Sequence, residues 1–161
     1  MQSREQNIKF KRLNDDIPIP KYAKEGDVGL DLICYSIEKY ERAAHGDIIV
    51  VNTGIAVSPP PGYHFKLYNR SSLHKMGYCL ANNVGVIDEG YTGFIYAPLL
   101  KIKNSTDLEN LSEQGEPGSE LIGKRIVQLI LEKSYNNFPL QEVNELENTE
   151  RGSTGFGSSG K

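Results

Sequence analysis

Residues 47–68 read Asp47-Ile-Ile-Val-Val-Asn52, Thr53, Gly54-Ile-Ala-Val-Ser58, Pro59-Pro-Pro-Gly62 and Tyr63-His-Phe-Lys-Leu-Tyr68. The first two runs are rich in β-branched apolar residues, which favour strands. The last run alternates in polarity, which is the period of a strand with one buried face. The three prolines predict a turn because they cannot donate hydrogen bonds to a sheet. The stretch therefore predicts short strands separated by turns.

The same pattern continues along the chain. Further strand-like runs lie at residues 94–96, 99–103 and 125–131, and helical periodicity is nearly absent apart from one short helix predicted at residues 71–76. Pro98 lies between the runs at 94–96 and 99–103, and if these runs join into one core strand, we expect that strand to be bulged or at an edge there. The 161 residues suit one domain. We expect an all-β sandwich or jelly roll, with an N-terminal segment over about residues 1–20.

Composition excludes several classes of protein. The chain is 38% apolar and 24% charged with a net charge of −3, so no basic surplus indicates direct nucleic-acid binding. No apolar run reaches the roughly 18 residues of a membrane span. The N-terminus is polar, unlike a secretory signal. Cys34 and Cys79 are predicted to be reduced core thiols. We expect a soluble cytoplasmic or nuclear protein that is not secreted and has no membrane partner.

Two polar segments stand apart from the strands. Residues 104–120 are acidic and contain Gly115, Pro117 and Gly118, which predicts a long, mobile accessory loop. Residues 148–161 are dominated by Gly and Ser, which predicts a flexible C-terminal arm. By composition alone the arm is more typical of a disordered terminus than of a binding element.

Two motifs offer groups for a phosphate and a metal. In Gly26-Asp-Val-Gly-Leu-Asp31-Leu32 the glycines permit close backbone approach, and Asp31 can face a cation or its waters. Asn69-Arg70-Ser71-Ser72-Leu73 follows a strand, where backbone N–H groups, hydroxyls and a guanidinium suit an anion. The plain alternatives are an edge turn for the first and a helix N-cap with a solvated arginine for the second.

The remaining three motifs add a carboxylate, an amide and an aromatic tail. The segment from Leu80 to Gly93 contains Asn82, Asn83, Gly85, Val86, Ile87, Asp88 and Tyr91. It could hold a nucleoside, or it could be a hairpin loop with an idle Asp88. Gln128 lies in an apolar strand, either buried with partners or facing solvent. The arm contains Arg151, Phe156, Gly157, Ser158 and Ser159, whose backbone and hydroxyls could wrap phosphates.

Together and in this order, the five motifs resemble those of the trimeric dUTPase family from about Asp27 to Gly160. The most specific pieces are Gly85-Val-Ile-Asp88-x-x-Tyr91-x-Gly93 and the terminal Arg-Gly-x-x-Gly-Phe-Gly-Ser-x-Gly. The resemblance implies a β jelly roll, a homotrimer whose active sites are shared between subunits, and Mg²⁺-dependent hydrolysis of dUTP to dUMP and pyrophosphate. Such an activity keeps uracil out of DNA and supplies dUMP for thymidylate synthesis.

The resemblance also implies a role for each matched residue. Asp88 would be the general base, Tyr91 the ring beneath the deoxyribose, and Asn82 or Asn83 the reader of uracil. Arg70, Ser72 and Gln128 would contact phosphates, and Asp31 would hold Mg²⁺ through water. In the arm, Phe156 would stack on uracil while Arg151, Ser158 and Ser159 grip the γ-phosphate. Neighbouring residues predicted to line the site are Ser71, Gly85, Val86, Ile87 and Gly157.

The sequence departs from the family pattern at a few positions and leaves two rivals open. Asn69 stands where many members carry Pro or Gly, Ser159 replaces the commoner Thr, and the connection before the fourth motif is long. One rival is a dCTP deaminase of similar fold, which needs a carboxylate beside the exocyclic amine. The strand after Gly93 offers none. The other is a non-catalytic nucleotide- or partner-binding homologue, although every matched catalytic position is intact.

Overall fold

The computed structural model describes residues 7–43, 46–102 and 117–150. Nine strands follow one another within these described residues. They are β1 (Lys9–Arg12), β2 (Gly29–Ile33), β3 (Ser36–Ala43), β4 (Gly46–Ser58), β5 (Tyr63–Asn69), β6 (Tyr78–Leu80), β7 (Gly85–Ile87), β8 (Phe94–Lys101) and β9 (Arg125–Lys133). Two 3₁₀ helices, Leu73–Met76 and Ser119–Leu121, complete the secondary structure of these residues.

The strands form two antiparallel sheets. One has the order β1-β4-β8-β6 with β3 also paired to β4, and the other has the order β2-β9-β5-β7. A single buried cluster contains Ile49, Val51 and Ile55 from the first sheet with Phe65 and Leu129 from the second. The buried side chains of β5 alternate along the strand, as its sequence predicts. The predicted all-β sandwich is confirmed.

Two pairs of predicted strands are each one strand in the structure. The runs at 47–52 and 54–58 both belong to β4, and the runs that begin at residues 94 and 99 both belong to β8. β4 runs without a break from Gly46 to Ser58, although its pairing with β8 shifts between Asn52 and Ala56. Gly54 lies in that irregular stretch with φ +67, a left-handed conformation that glycine adopts without strain. The sequence predicted that the strand ends near Gly54, but the glycine causes only a local irregularity within a continuous β4.

Pro98 is accommodated without a bulge. It pairs with Val50 on β4, while β6 on the other side ends at Leu80. The Pro98 carbonyl accepts a hydrogen bond from the Ala81 N–H at 2.8 Å. In an antiparallel strand the N and O of one residue point to the same side, so the Pro98 nitrogen faces the place where β6 has already ended. The strand is thus locally at an edge, and the predicted alternative of a bulge there is wrong.

The mobile loop predicted at residues 104–120 extends too far at its C-terminal end, because Gly118 and Glu120 contact the sandwich. Residues 103–116 lie outside the described part of the chain, but Gly118 is buried, and a Cβ there would lie 2.9 Å from Ile49 Cδ1. The Tyr78 hydroxyl donates a 2.5 Å hydrogen bond to Glu120 Oε1. The segment 117–120 is therefore packed on the sandwich, because Gly118 and Tyr78 offer it a close fit that composition does not reveal.

The two cysteines are both free but differ in environment. Cys34 is fully buried and Cys79 is half-buried, so only Cys34 is a core thiol in the predicted sense. Burial, with a smaller contribution from the Glu120 carboxylate, raises the pKa of the Cys34 thiol to about 11. Cys34 is therefore protonated and unreactive at neutral pH. Over residues 7–43, 46–102 and 117–150, no helix is long and apolar enough to cross a membrane.

Candidate active site

The first and second motifs meet at a carboxylate held by two guanidinium groups. Arg70, directly after β5, donates from Nε to Asp31 Oδ1 at 2.7 Å. Arg125, the first residue of β9, donates from Nη1 to Asp31 Oδ2 at 3.3 Å. Asp31 reaches both because β2 pairs with β9, which in turn pairs with β5. Two positive charges against one negative charge leave this cluster favourable for an anion.

Asp31 and Arg70 of this cluster line a polar cavity of about 250 Å³, here called the arginine cavity. Its lining residues are Ala23, Asp27, Val28, Gly29, Asp31, Arg70, Ser71 and Gln128. Residues from the first, second and fourth predicted motifs are therefore brought together, although Asp27 and Gln128 are 101 positions apart in the sequence. The plain reading of the first motif holds in part, because a turn closed by the Asp27 N–H and the Lys24 carbonyl at 3.2 Å leads into β2, which is an edge strand. The plain reading of Arg70 as a solvated arginine is wrong, since Asp31 binds its guanidinium.

Gln128 is half-buried and has a partner, which resolves the two alternatives for it. Its Nε2 donates to the Asn69 carbonyl at 3.0 Å. Gly29 lies diagonally across from it, because Gly29 pairs with Ile130 and Asp31 pairs with Gln128. Gly29 leaves space for the amide, since a Cβ there would lie 2.2 Å from Gln128 Oε1. The glycine of the first motif is therefore required for a close approach, as the sequence predicted, but the approaching group is a side chain.

We expect Gly29→Ala to displace Gln128 from the arginine cavity. The added methyl cannot share space with Oε1, so the amide must rotate away and give up the Asn69 hydrogen bond. The KM for dUTP, the substrate that the resemblance implies, should rise about tenfold, the equivalent of one lost hydrogen bond. Gln128→Ala should give the same rise, and the double variant should be no worse than either. Additive effects of the two substitutions would contradict this account.

The serines after Arg70 occupy the turn into the 3₁₀ helix Leu73–Met76. Ser71 is exposed and lines the arginine cavity, whereas Ser72 is half-buried. Ser72 stands at the N-cap position, but its side chain makes no capping hydrogen bond. The capping explanation for this serine is therefore not supported, and its hydroxyl is not committed to the helix. The predicted helix over residues 71–76 is shorter and of 3₁₀ type.

The third motif forms a separate cavity of about 300 Å³, here called the tyrosine cavity. Its lining residues are Leu67, Asn82, Gly85, Val86, Ile87, Asp88, Tyr91, Phe94, Ile95 and Tyr96. β7 ends at Ile87, which is buried, and delivers the exposed Asp88 to the cavity rim. The Asp88 carbonyl accepts a hydrogen bond from the Tyr91 N–H at 3.2 Å, which closes the turn between them.

The Tyr91 ring is held in place although it is 43% exposed. Its hydroxyl donates to the Phe94 carbonyl at 2.8 Å. A Cβ on Gly93 would lie 2.6 Å from that hydroxyl, so only glycine lets the ring fold across the turn. The spacing Tyr91-x-Gly93 is thus explained by contact, and it leaves one face of an ordered ring open to the cavity.

The two asparagines before β7 have different tasks. Asn83 adopts a left-handed conformation with φ +59, which asparagine tolerates in turns. Asn82 precedes it and lines the tyrosine cavity, whereas Asn83 is not part of the lining. The structure thus separates a turn-forming residue from a cavity residue where the sequence left both as candidates. The amide of Asn82 is the one placed to meet a ligand in that cavity.

Asp88 and Arg70 are far apart within one chain. β5 and β7 are antiparallel with Phe65 opposite Ile87, so Asp88 lies next to His64, and both line another cavity of about 410 Å³. Arg70 is six residues beyond His64 along β5, a separation of roughly 20 Å at the rise of a strand. The arginine and tyrosine cavities accordingly share no lining residue. The arginine and tyrosine cavities, here called the two half-sites, are therefore separate within one chain.

The predicted site residues of the C-terminal arm are not described by the structure, and some residues near the cavities were not predicted. Arg151, Phe156, Gly157, Ser158 and Ser159 lie outside the described residues. Among the residues that the sequence analysis did not select, Arg125 binds Asp31, and Phe94 and Tyr96 line the tyrosine cavity. The alternation of Phe94 and Tyr96 on one face of β8 was a usable signal, as was Arg125, which begins the strand predicted at residues 125–131.

The donor set bears on which metal could be present. Over the described residues, no group of three or more His, Cys, Asp or Glu side chains could hold a metal ion. Asp31 uses both oxygens for arginine contacts, yet a carboxylate has about four lone-pair positions and can still accept from a water. Mg²⁺ usually takes one or two carboxylates together with substrate phosphates and waters. The site fits a Mg²⁺ ion that arrives with a polyphosphate.

The protein is a β-sandwich whose candidate site consists of an arginine cluster and an aromatic cavity carried on different strands. The sequence profile of the dUTPase family matches residues 15–107 and 121–160. The deoxyuridine 5'-triphosphate nucleotidohydrolase of Clostridioides difficile is 36% identical over 96% of this chain and 98% of its own. That of Thermobifida fusca is 35% identical over 95% of this chain and 78% of its own.

A solved structure is similar over the same extent. A variant of the Staphylococcus bacteriophage 80alpha dUTPase with dUpNHpp has a TM-score of 0.71 and 25% identity, covering 96% of this chain and 99% of that one. The chain belongs to the dUTPase family. It is therefore a hydrolase, and its sandwich is the dUTPase jelly roll.

Proposed function

We propose that this protein hydrolyses dUTP to dUMP and pyrophosphate. The observation that carries the proposal is the division of the site, with a polar arginine cavity containing Arg70 and a separate tyrosine cavity ending beside Asp88. The curated relatives at about 35% identity are named for the same reaction. Incubation with dUTP should release pyrophosphate, whereas incubation with dCTP should release no ammonia. Ammonia from dCTP without pyrophosphate from dUTP would favour the deaminase rival.

In this proposal Asp88 is the general base. A water between Asp88 and the α-phosphorus gives its proton to the carboxylate as its oxygen attacks. The bond from the α-phosphorus to the bridging oxygen breaks, and pyrophosphate leaves with the electron pair. Help of this kind contributes roughly 10²–10⁴-fold. The exposed position of Asp88 at the end of β7 supports the role, because the carboxylate is accessible to a water and a phosphate.

Arg70, Ser72 and Gln128 would hold the phosphates during that step. Arg70 is oriented by Asp31, and Gln128 by Asn69, so both donors are fixed before substrate arrives. Prepositioned donors stabilise developing charge without reorganisation. Bound Mg²⁺ would neutralise phosphate charge, and Asp31 would meet its coordinated water. Arg125 would keep Asp31 aligned when Arg70 engages a phosphate.

The proposal requires more than one copy of the chain. Asp88 and Arg70 lie roughly 20 Å apart along β5 at the rise of a strand, too far to act on the same α-phosphate. A homotrimer would solve this if the arginine cavity of one copy faced the tyrosine cavity of the next. A closed ring of identical copies repeats such a contact at each interface. The arm containing Arg151 and Phe156 would then close over a neighbouring site.

Within the tyrosine cavity, Tyr91 would carry the selection for deoxyribose. We expect kcat/KM for UTP to be at least about 100-fold below that for dUTP, because the ring leaves no partner for a 2′-hydroxyl. Tyr91→Ala should bring kcat/KM for UTP much closer to kcat/KM for dUTP. Tyr91→Phe keeps the ring and should preserve most of the difference between the two nucleotides. Steady-state kinetics with both nucleotides measure the ratio. A wild-type enzyme that uses UTP and dUTP equally would exclude this role.

The cellular role proposed is to keep uracil out of DNA and to supply dUMP for thymidylate synthesis. The two free cysteines, one of them fully buried, are consistent with the reducing cytoplasmic or nuclear location proposed for it. Mass spectrometry of the protein from its native cells, with free thiols alkylated before lysis, would test the redox state of both cysteines.

A further inference from the structure

Asn69, the last residue of β5, contacts segments that belong to both half-sites. Its side-chain Oδ1 accepts a hydrogen bond from the Leu80 N–H at 2.9 Å. Its main-chain carbonyl accepts from Gln128 Nε2 at 3.0 Å. The next residue, Arg70, donates its N–H to the Ile126 carbonyl at 3.0 Å. One asparagine therefore lies between the arginine cavity and the strand that leads to the tyrosine cavity.

The Leu80 N–H needs the acceptor that Asn69 provides. Leu80 is 2% exposed and is the last residue of β6, which lies at the edge of the five-stranded sheet. Its strand pairs with β8 on one side only, so the sheet supplies no acceptor on the other side. A buried N–H without a partner is costly, and water cannot easily replace a partner at so enclosed a residue.

Leu80 in turn anchors the turn that carries Asn82. Its carbonyl accepts from the Asn83 N–H at 3.2 Å, and the Val84 N–H donates to the Asn82 carbonyl at 2.6 Å. With Asn83 in its left-handed conformation, these bonds fix how the Asn82 side chain enters the tyrosine cavity. The chain of contacts runs from Asn69 through Leu80 to Asn82 without a gap.

We propose that Asn69 is a positioning residue for base recognition, acting through the Leu80 N–H to hold Asn82 in register with the base. The inference rests on the proposed dUTP hydrolysis and adds a residue to it. Pro or Gly, the residues noted above at this position in many family members, have no side-chain acceptor. Recognition in this chain therefore depends on a contact that those residues cannot make.

The test compares Asn69→Ala, which removes the acceptor, with Asn69→Asp, which retains an oxygen of the same reach. Asn69→Ala should raise KM for dUTP and Kd for dUpNHpp about tenfold while kcat stays within about twofold, since Asp88 lies on a different turn. Asn69→Asp should bind clearly better than Asn69→Ala. Discrimination between dUTP and dCTP should fall in the alanine variant and recover in the aspartate variant.

A double-mutant cycle separates positioning from general stability. In the Asn82→Ala background, Asn69→Ala should change Kd by less than about twofold, because the group that Asn69 positions is gone. The exposed Asn137→Ala is the matched control and should leave Kd unchanged. If Asn69→Ala does not fold, Asn69→Gly replaces it, since glycine lacks the acceptor but suits a strand end.

Each outcome is decisive. A lowered melting temperature with wild-type Kd and base discrimination would make Asn69 merely structural and overturn the inference. An equal penalty in the presence and absence of the Asn82 side chain would do the same, as would an aspartate variant no better than alanine. Failure of the wild type to bind dUpNHpp or hydrolyse dUTP would instead refute the proposed function, which distinguishes the two failures.

Discussion

Asp88→Asn should lower kcat for dUTP by at least about 100-fold, because the amide keeps the shape of the carboxylate but cannot accept a proton from water. Binding should survive, since the variant keeps the turn that Asp88 and Tyr91 form through backbone groups. Kd for dUpNHpp should therefore stay within a few-fold of wild type. Stopped-flow pyrophosphate release and calorimetry measure the two quantities separately.

The neighbouring carboxylate supplies a matched control. Glu89 Oε2 accepts a hydrogen bond from the Gly62 N–H at 2.9 Å, so it is committed to a loop contact. Glu89→Gln retains an acceptor for that bond and should keep kcat within a few-fold. A large loss of kcat in Glu89→Gln with a small loss in Asp88→Asn would show that Glu89, and not Asp88, is the general base. A modest loss in both would remove general-base catalysis from the mechanism.

Removal of residues 151–161 should abolish most of the activity while the fold stays intact. The deleted segment contains four glycines and Phe156 as its only aromatic residue, so it has little to add to a core. Ordering it costs about 1–2 kcal/mol per residue in backbone entropy, which only ligand contacts can offset. We expect kcat/KM for dUTP to fall by at least about 100-fold, with a nearly unchanged melting temperature.

A milder variant isolates one contact of the arm. Phe156→Ala should cost the stacking on uracil, about 1–3 kcal/mol, which is roughly 10- to 100-fold in kcat/KM. Removal of the Phe156 ring should therefore account for part of the truncation effect, with Arg151 and the two serines supplying the rest. Full activity of the truncated protein would show that the segment is the disordered terminus its composition indicates.

Local patterns were sufficient to predict much of the fold. Polarity alternation in β5 and the prolines before it gave a strand and a turn where both occur. Boundaries failed where tertiary contacts overrule local signals. Gly54 interrupts a run without ending β4, and residues 117–120 pack on Ile49 and Tyr78 despite their loop-like composition.

The site was predictable in its residues but not in its arrangement. The motif order selected Asp31, Arg70 and Gln128, which do line one cavity. Asp31 contacts both Arg70 and Arg125 because β2 and β5 both lie beside β9, and no local spacing in the sequence encodes that arrangement. The same holds for the separation of Asp88 from Arg70. It follows from the antiparallel register of β5 and β7, where Phe65 faces Ile87.

Subunit complementation tests the shared site most directly. Asp88→Asn and Arg70→Ala should each be inactive alone. Co-expressed with different tags and purified through both, every mixed trimer should contain one intact site in three, with Asp88 from one copy and Arg70 from another. The account predicts activity near one third of wild type in the doubly tagged fraction. Activity no higher than that of either parent would show that Asp88 and Arg70 of one chain serve the same site, contradicting the account.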